Sequence, residues 1–280
     1  CHKRHAAESL RTGIIVQLAN CFNSLGLVGV YDPVSGTGNL AISNPVRSYL
    51  EYSAKEQKTA GIGQKQAAPL LRHVVESLLT RMGTNIRNLG TSAPARQEAL
   101  ELKMYRAVFA TTFNSSRRGH CISHMHIARI FSLPNRAGFL CELLLGKTLR
   151  QQNTSCFGLQ RKPEPQKGTC PVNLIEEWVA AASEAGFDMT RGHLFFRFEL
   201  PARSKSYLDP RVMTKKLQRY LADLKVGNEK LTMHSFRVGS VICKLLEGLS
   251  LERVMHDAFW KKRKTLQHYA RHRCPQPPRP

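Results

Sequence analysis

Ile14, Leu18, Phe22 and Leu25 recur at the three- and four-residue spacing of one helical face, and Val46, Tyr49, Leu50 and Ala54 repeat that spacing. Residues from Ser9 to about Gly63 therefore read as two short helices. Between them Gly29, Pro33, Gly36, Gly38 and Pro45 have the composition of a loop. Helical spacing resumes over Gln64 to Met82, with Ala68, Leu71, Val75, Leu78 and Leu79 on one side. A further helix starts behind Ser92, a good N-cap residue, and runs through Leu100, Met104, Ala107, Val108 and Thr111 until Asn114 to Gly119 breaks it. The pattern then changes. Two short apolar runs, Ile130 to Leu133 and Phe139 to Leu145, flank Pro134 to Gly138, the signature of a β-hairpin with a five-residue loop. A basic, polar stretch from Lys147 to Lys167 follows. Helical spacing returns over Val172 to Ala185, Thr214 to Leu224, Ser235 to Leu246, Leu251 to Phe259 and Thr265 to Arg271, and the proline-rich end, Cys274 to Pro280, is expected to be disordered. No internal repeat is present.

Composition narrows what such a chain does. With 42% hydrophobic residues in 280, there is enough apolar material for a real core. Lys and Arg number 42 against 20 Asp and Glu, a formal charge of +22, which is the electrostatic footprint of a polyanion partner. No apolar run approaches the ~20 residues of a membrane span, so a soluble protein is expected. The eight cysteines contain no Cys-x-x-Cys pair and suit neither a disulfide framework nor a zinc ribbon, which points to a reducing compartment. Lys261-Lys262-Arg263-Lys264 has the form of a nuclear-localisation signal, although a basic run of four is as often a solvated face or a phosphate contact.

Two motifs tempt and carry little. Ser35-Gly36-Thr37-Gly38 is glycine-rich, but no Gly-Lys-Ser/Thr follows it. His120, Cys121, His124 and His126 have zinc-ligand residue types, yet four ligands within seven residues rarely reach a tetrahedron, and no distant pair completes a finger. No metal and no cofactor are expected.

The informative stretch is Leu231-Thr232-Met233-His234-Ser235-Phe236-Arg237, followed 23 residues after the arginine by Trp260 and nine later by Tyr269. Here the chain resembles the tyrosine recombinases, the phage-integrase family, in which a His-x-x-Arg motif opens a helix, a His or Trp comes two helices on, and a Tyr nucleophile follows. Upstream, Arg118-Gly119-His120-Cys121-Ile122 resembles the family's first-arginine motif, Arg-x-x-Glu/Asp-Leu/Ile, and Lys147 sits where the family carries its β-hairpin lysine. Gly146-Lys147-Thr148-Leu149-Arg150, Cys170-Pro171-Val172 and Gly192-His193-Leu194-Phe195 look like the eukaryotic, Crypton-like mobile-element branch. Taken singly, Tyr269, Trp260 and His234 are more often core or capping residues. Order and spacing together are the signal.

The resemblance implies a mainly α fold. A helical core-binding (SAM-like) part, residues 1–63 and short for that role, precedes an α-rich catalytic domain with a small antiparallel β-sheet, residues 64–273, and a tail, 274–280. It also implies a chemistry: strand cleavage and rejoining in double-stranded DNA through a covalent 3′-phosphotyrosyl intermediate, without metal or cofactor. Tyr269 is then the nucleophile, Arg118 and Arg237 hold the phosphate through bidentate guanidinium bonds, Lys147 protonates the leaving 5′ oxygen, His234 takes or shares the tyrosine proton, and Trp260 buttresses the phosphate through its indole N–H. Arg117 is the alternative first arginine, but it would place His120 at the acidic position. Cys121 departs from the family's Glu or Asp. The expected partners are duplex DNA and further copies of the chain on DNA, with no membrane, and the expected compartment is the nucleus. A recombinase-derived DNA binder without turnover, and a type IB topoisomerase-like enzyme, are the other readings.

Overall fold

The computed structural model describes residues 8–59, 67–143, 155–164, 166–198, 206–224, 226, 231–260 and 263. The chain divides into two compact units, Cys1–Gln66 and Ala67–Pro280.

The first unit is a helix pair, α1 (Glu8–Ser24) and α2 (Asn44–Thr59). The intervening loop is knitted by polar side chains. Buried Asn39 donates to the Ala19 carbonyl and to Asn23 Oδ1, and its own oxygen accepts from the Ala41 N–H. The glycine-rich Ser35 to Gly38 stretch closes on Asp32, whose carboxylate accepts from the backbone of Val34 and Ser35 and from the Ser35 hydroxyl. A carboxylate thus occupies the place where a phosphate loop would receive an anion. The apolar face expected on α1 is present but not covered, since Ile14, Leu18 and Leu25 are all exposed.

The second unit is built around α4 (Ala93–Ser115), which Ser92 caps through its side chain. From Leu102 to Phe113 this helix is buried on nearly every side, as a helix in the middle of a core must be. Packed on it are α3 (Arg72–Asn88), α6 (Pro171–Glu184) and α8 (Met233–Leu246), with α7 (Pro210–Ala222) and α9 (Leu251–Asp257) beyond. The ring of Phe109 on α4 stacks on Phe236 of α8 at 5.3 Å. Trp178 of α6 is fully buried and donates its indole N–H to the Leu194 carbonyl at 2.9 Å. α8 also lies close against the extended segment before α3. A Cβ at Gly239 would stand 1.7 Å from the Leu70 carbonyl oxygen, so only glycine allows this approach.

The sheet has three antiparallel strands in the order β1 (Ile130–Ser132), β2 (Gly138–Leu143), β3 (Ser155–Gln160), with Phe139 opposite Leu159 and Cys141 opposite Phe157. β1 and β2 form the hairpin that the apolar runs predict. The third strand corrects the sequence reading, which treated Lys147 to Lys167 as one polar stretch. Ser155, Phe157 and Leu159 alternate inward there, and the alternation starts on a serine and passes through Gly158, too weak a pattern to register. Two helix starts also differ. α3 begins at Arg72 rather than near Gln64, because Pro69 holds the residue before it out of the helical region. α7 begins at Pro210, four residues early, behind an Asp209 cap. The expected helix over Thr265 to Arg271 and the tail from Cys274 lie outside the described residues. Among those described, no cysteine is in a disulfide and no helix is long and apolar enough to cross a membrane.

Candidate functional site

The site grows from the end of α4. Ser116 takes the left-handed conformation (φ 54°), its N–H returns to the Phe113 carbonyl, and its hydroxyl shares a 2.7 Å hydrogen bond with Ser240 on α8. This turn sends the next two side chains to different places. Arg117 goes inward, 4% exposed. Arg118 stays half-buried at the N-cap of the short helix α5 (Gly119–Ser123). α5 starts against the first turn of α8, since a Cβ at Gly119 would meet Met233 Cβ at 3.0 Å.

α8 begins with a reciprocal cap. The Thr232 hydroxyl accepts from the His234 N–H at 3.2 Å, and the Ser235 hydroxyl accepts from the Thr232 N–H at 3.0 Å. His234 is thereby fixed in the first turn, with Arg237 one turn further along. Burial, then the charge of Arg237, then that of Arg118 pull the His234 pKa down to about 4. Both arginines therefore act on one imidazole, which is neutral at pH 7. Arg237 is itself 2% exposed. Its Nη2 donates to the Ala258 carbonyl at 2.7 Å, and its guanidinium carbon lies 4.8 Å from the centre of the Trp260 ring.

Trp260 is positioned by the way α9 ends. The Phe259 N–H donates to the His256 carbonyl at 3.0 Å and the Trp260 N–H to the Met255 carbonyl at 2.8 Å, the paired bonds of a Schellman cap. The left-handed residue in such a cap is usually glycine. Here it is Phe259 (φ 56°), at a backbone cost of about 1 to 2 kcal/mol. Asp257 ties α9 to α8 through Lys244 at 2.9 Å and also pairs with Arg253 at 3.4 Å. Burial raises its pKa, but the Lys244 bond and charge outweigh that and leave it lowered.

Of the six residues singled out by sequence, His234 and Arg237 lie about one turn apart on α8, Trp260 packs on Arg237 at the end of α9, and Arg118 at the start of α5 is near enough to lower the His234 pKa, so that α5, α8 and α9 form one corner. Lys147, in the connection between β2 and β3, and Tyr269, nine residues beyond Trp260, lie outside the described residues, as does nearly all of Lys261 to Lys264. Cys121 is buried on α5 and draws the Arg117 pKa up, against the larger effect of burial.

Two features escaped the sequence reading. One is the environment of Arg117, which is held by Ser155, Cys156, Phe157 and Phe259 and has no motif to announce it. The other is the company His120, His124 and His126 keep. His193 packs 4.3 Å from His126, and Tyr207 stacks on His124 at 4.4 Å. Burial, then His126, then His124 lower the His193 pKa to about 4, so the His193 ring packs as a neutral aromatic. Among the described residues no group of three His, Cys, Asp or Glu side chains is arranged to hold a metal ion. Next to the corner, a groove of about 650 Å³ opens beside β3, lined among others by Arg117, Arg161, Lys162, Lys244 and Arg253.

No protein-family model matches the sequence, and no curated protein matches it. Solved structures do. The XerH site-specific recombinase bound to difH substrate, in a pre-cleavage complex, superposes with a TM-score of 0.54 at 16% identity, over 74% of this chain and 51% of that one. XerH on a palindromic difH substrate, in a post-cleavage complex, gives 0.53 at 16% over 74% and 50%. The fold is that of a tyrosine recombinase. The chain spans about half the length of the XerH chains it matches. In this recombinase fold, a mostly helical domain carrying a small antiparallel sheet, α4, α5, α8 and α9 are the elements that supply the corner.

Proposed function

We propose that this chain is a DNA-binding tyrosine recombinase or integrase that cuts and rejoins duplex DNA strands through Tyr269. The observation that carries the reading is the corner where Arg118 and Arg237 both depress the proton affinity of His234 while Arg237 stacks on Trp260. Two guanidinium groups beside a neutral imidazole, Arg237 held by the Ala258 carbonyl and the Trp260 ring, suit a phosphodiester. The arginines bind the non-bridging oxygens and meet the charge that builds in the transition state, and the imidazole is free to accept a proton. In the forward step the Tyr269 oxygen bonds to phosphorus and gives its proton to the base at this corner. The bond from phosphorus to the 5′ oxygen breaks, and that oxygen leaves as a hydroxyl with a proton from Lys147. Rejoining reverses both transfers. Phosphate-ester bond energy is kept in the phosphotyrosine, so neither metal nor cofactor is required.

The XerH likeness and the charge of +22 support duplex DNA as partner, with further copies of the chain assembled on it. A core-binding role for residues 1–63, a catalytic role for 64–273, a mobile-element origin and a nuclear location belong to the same proposal. Cys121 favours a second reading, a recombinase-derived DNA binder without turnover, because a thiol replaces the carboxylate expected next to the first arginine. Nicked suicide duplexes, from which the cut strand diffuses away, separate the two. The enzyme accumulates a covalent protein–DNA adduct that Tyr269→Phe abolishes. Bound DNA with no adduct selects the binder.

A further inference from the structure

We infer that Arg117 is a positioning residue, a buried clamp that fixes the Phe259–Trp260 corner and the start of β3 relative to Arg118. Its guanidinium carbon lies 4.9 Å from the Phe259 ring centre and 5.4 Å from that of Phe157. Nη1 donates to the Ser155 hydroxyl at 3.4 Å and Nη2 to the Cys156 carbonyl at 3.2 Å. Nε is buried and finds no hydrogen-bond acceptor among the described residues. Two rings, Phe157 and Phe259, and two acceptors on β3 therefore hold the group. Burial lowers the Arg117 pKa, with Cys121 and then Asp257 pulling the other way, and an arginine remains charged under such a shift.

The consequence follows from adjacency in the chain. Arg117 precedes Arg118, and Phe259 precedes Trp260. One cation–π contact joins the first members of these pairs, Arg117 with Phe259. Among the second members, Trp260 lies under Arg237, whose charge reaches His234 together with that of Arg118. Phe259 sits in a strained left-handed conformation, so the backbone alone gives it little reason to stay. The Arg117 contact supplies one, and with it the register between Trp260 and Arg237. β3 is held by the same guanidinium at its first three residues, where the connection bearing Lys147 re-enters the sheet.

The positional part of this inference stands on geometry alone, while its effect on turnover rests on the recombinase reading. The full chain labelled with 5-fluorotryptophan gives two ¹⁹F resonances, Trp178 in the core and Trp260 at the corner. In Arg117→Met, the Trp260 resonance is expected to move by more than its linewidth while that of Trp178 stays in place. Adduct formation on suicide substrates should fall roughly 100-fold, the scale of a small misplacement of reacting groups, with little change in DNA affinity. An unmoved Trp260 resonance in a folded variant overturns the inference. If the Trp178 resonance collapses as well, Phe259→Leu, which removes one face of the clamp and leaves Arg117 buried, decides by the same reading. Absence of adduct in the wild type defeats the recombinase reading, and the Trp260 shift still decides the clamp.

Discussion

His234 links protonation to stability. Its pKa is about 4 in the folded chain and close to 6.5 once unfolded. Between those values the unfolded chain binds a proton that the folded one refuses, so stability is complete above about pH 6.5 and declines as pH falls toward 4. From His234 alone the decline is on the order of 2 to 3 kcal/mol. His193, lowered for the same first reason of burial, acts in the same direction. The melting temperature should therefore drop between pH 7.5 and 5, and His234→Gln should flatten that drop; an unchanged slope would show that the imidazole is not held neutral by its burial beside the two arginines. At this scale the sequence was informative where a motif exists. The resemblance to the tyrosine recombinases picked out His234, Arg237 and Trp260 through their order and spacing. Arg117 and Phe259 were illegible, since their contact joins positions 142 residues apart and neither side chain belongs to a motif.

Among the elements, α8 bears the most constraint. It carries the reciprocal cap, His234 and Arg237, and it lies so close to Leu70 that Gly239 has no tolerable replacement. Gly239→Ala gains about 1 kcal/mol of helix propensity. It also puts a methyl group 1.7 Å from a backbone oxygen that cannot swing aside, with an overpacking cost of about 3 kcal/mol. Urea unfolding should show a net loss of roughly 2 kcal/mol, and a stabilised variant would mean that α8 does not approach Leu70 as described. Elements announced by local chemistry were the legible ones. Ser92 starts α4, and apolar runs around a proline-led turn give β1 and β2. β3 was hidden because strand pairing is non-local. Residues 155–160 become a strand by lying along β2, and only three inward positions mark them in the sequence.

For the molecule as a whole, the proposed function gives the charge of +22 a part in how tightly DNA is held more than in what is done to it. The logarithm of the DNA affinity should fall linearly with the logarithm of salt concentration, with a slope of about −6 or steeper if seven or more phosphates are neutralised. A slope near zero would leave the excess cations without a role in binding. The charge was readable at once, and the fold adds that Arg117 turns inward while Arg118 stays half-buried and reaches His234 with its charge. The central claim is that Tyr269 receives a DNA strand. Digesting the adduct formed on a suicide duplex and sequencing the nucleotide-bearing peptide by mass spectrometry tests it most directly. A single modified peptide with a 3′-phosphate-linked nucleotide on Tyr269 is expected; a modification on any other residue, or bound DNA that never becomes attached, would contradict the recombinase reading.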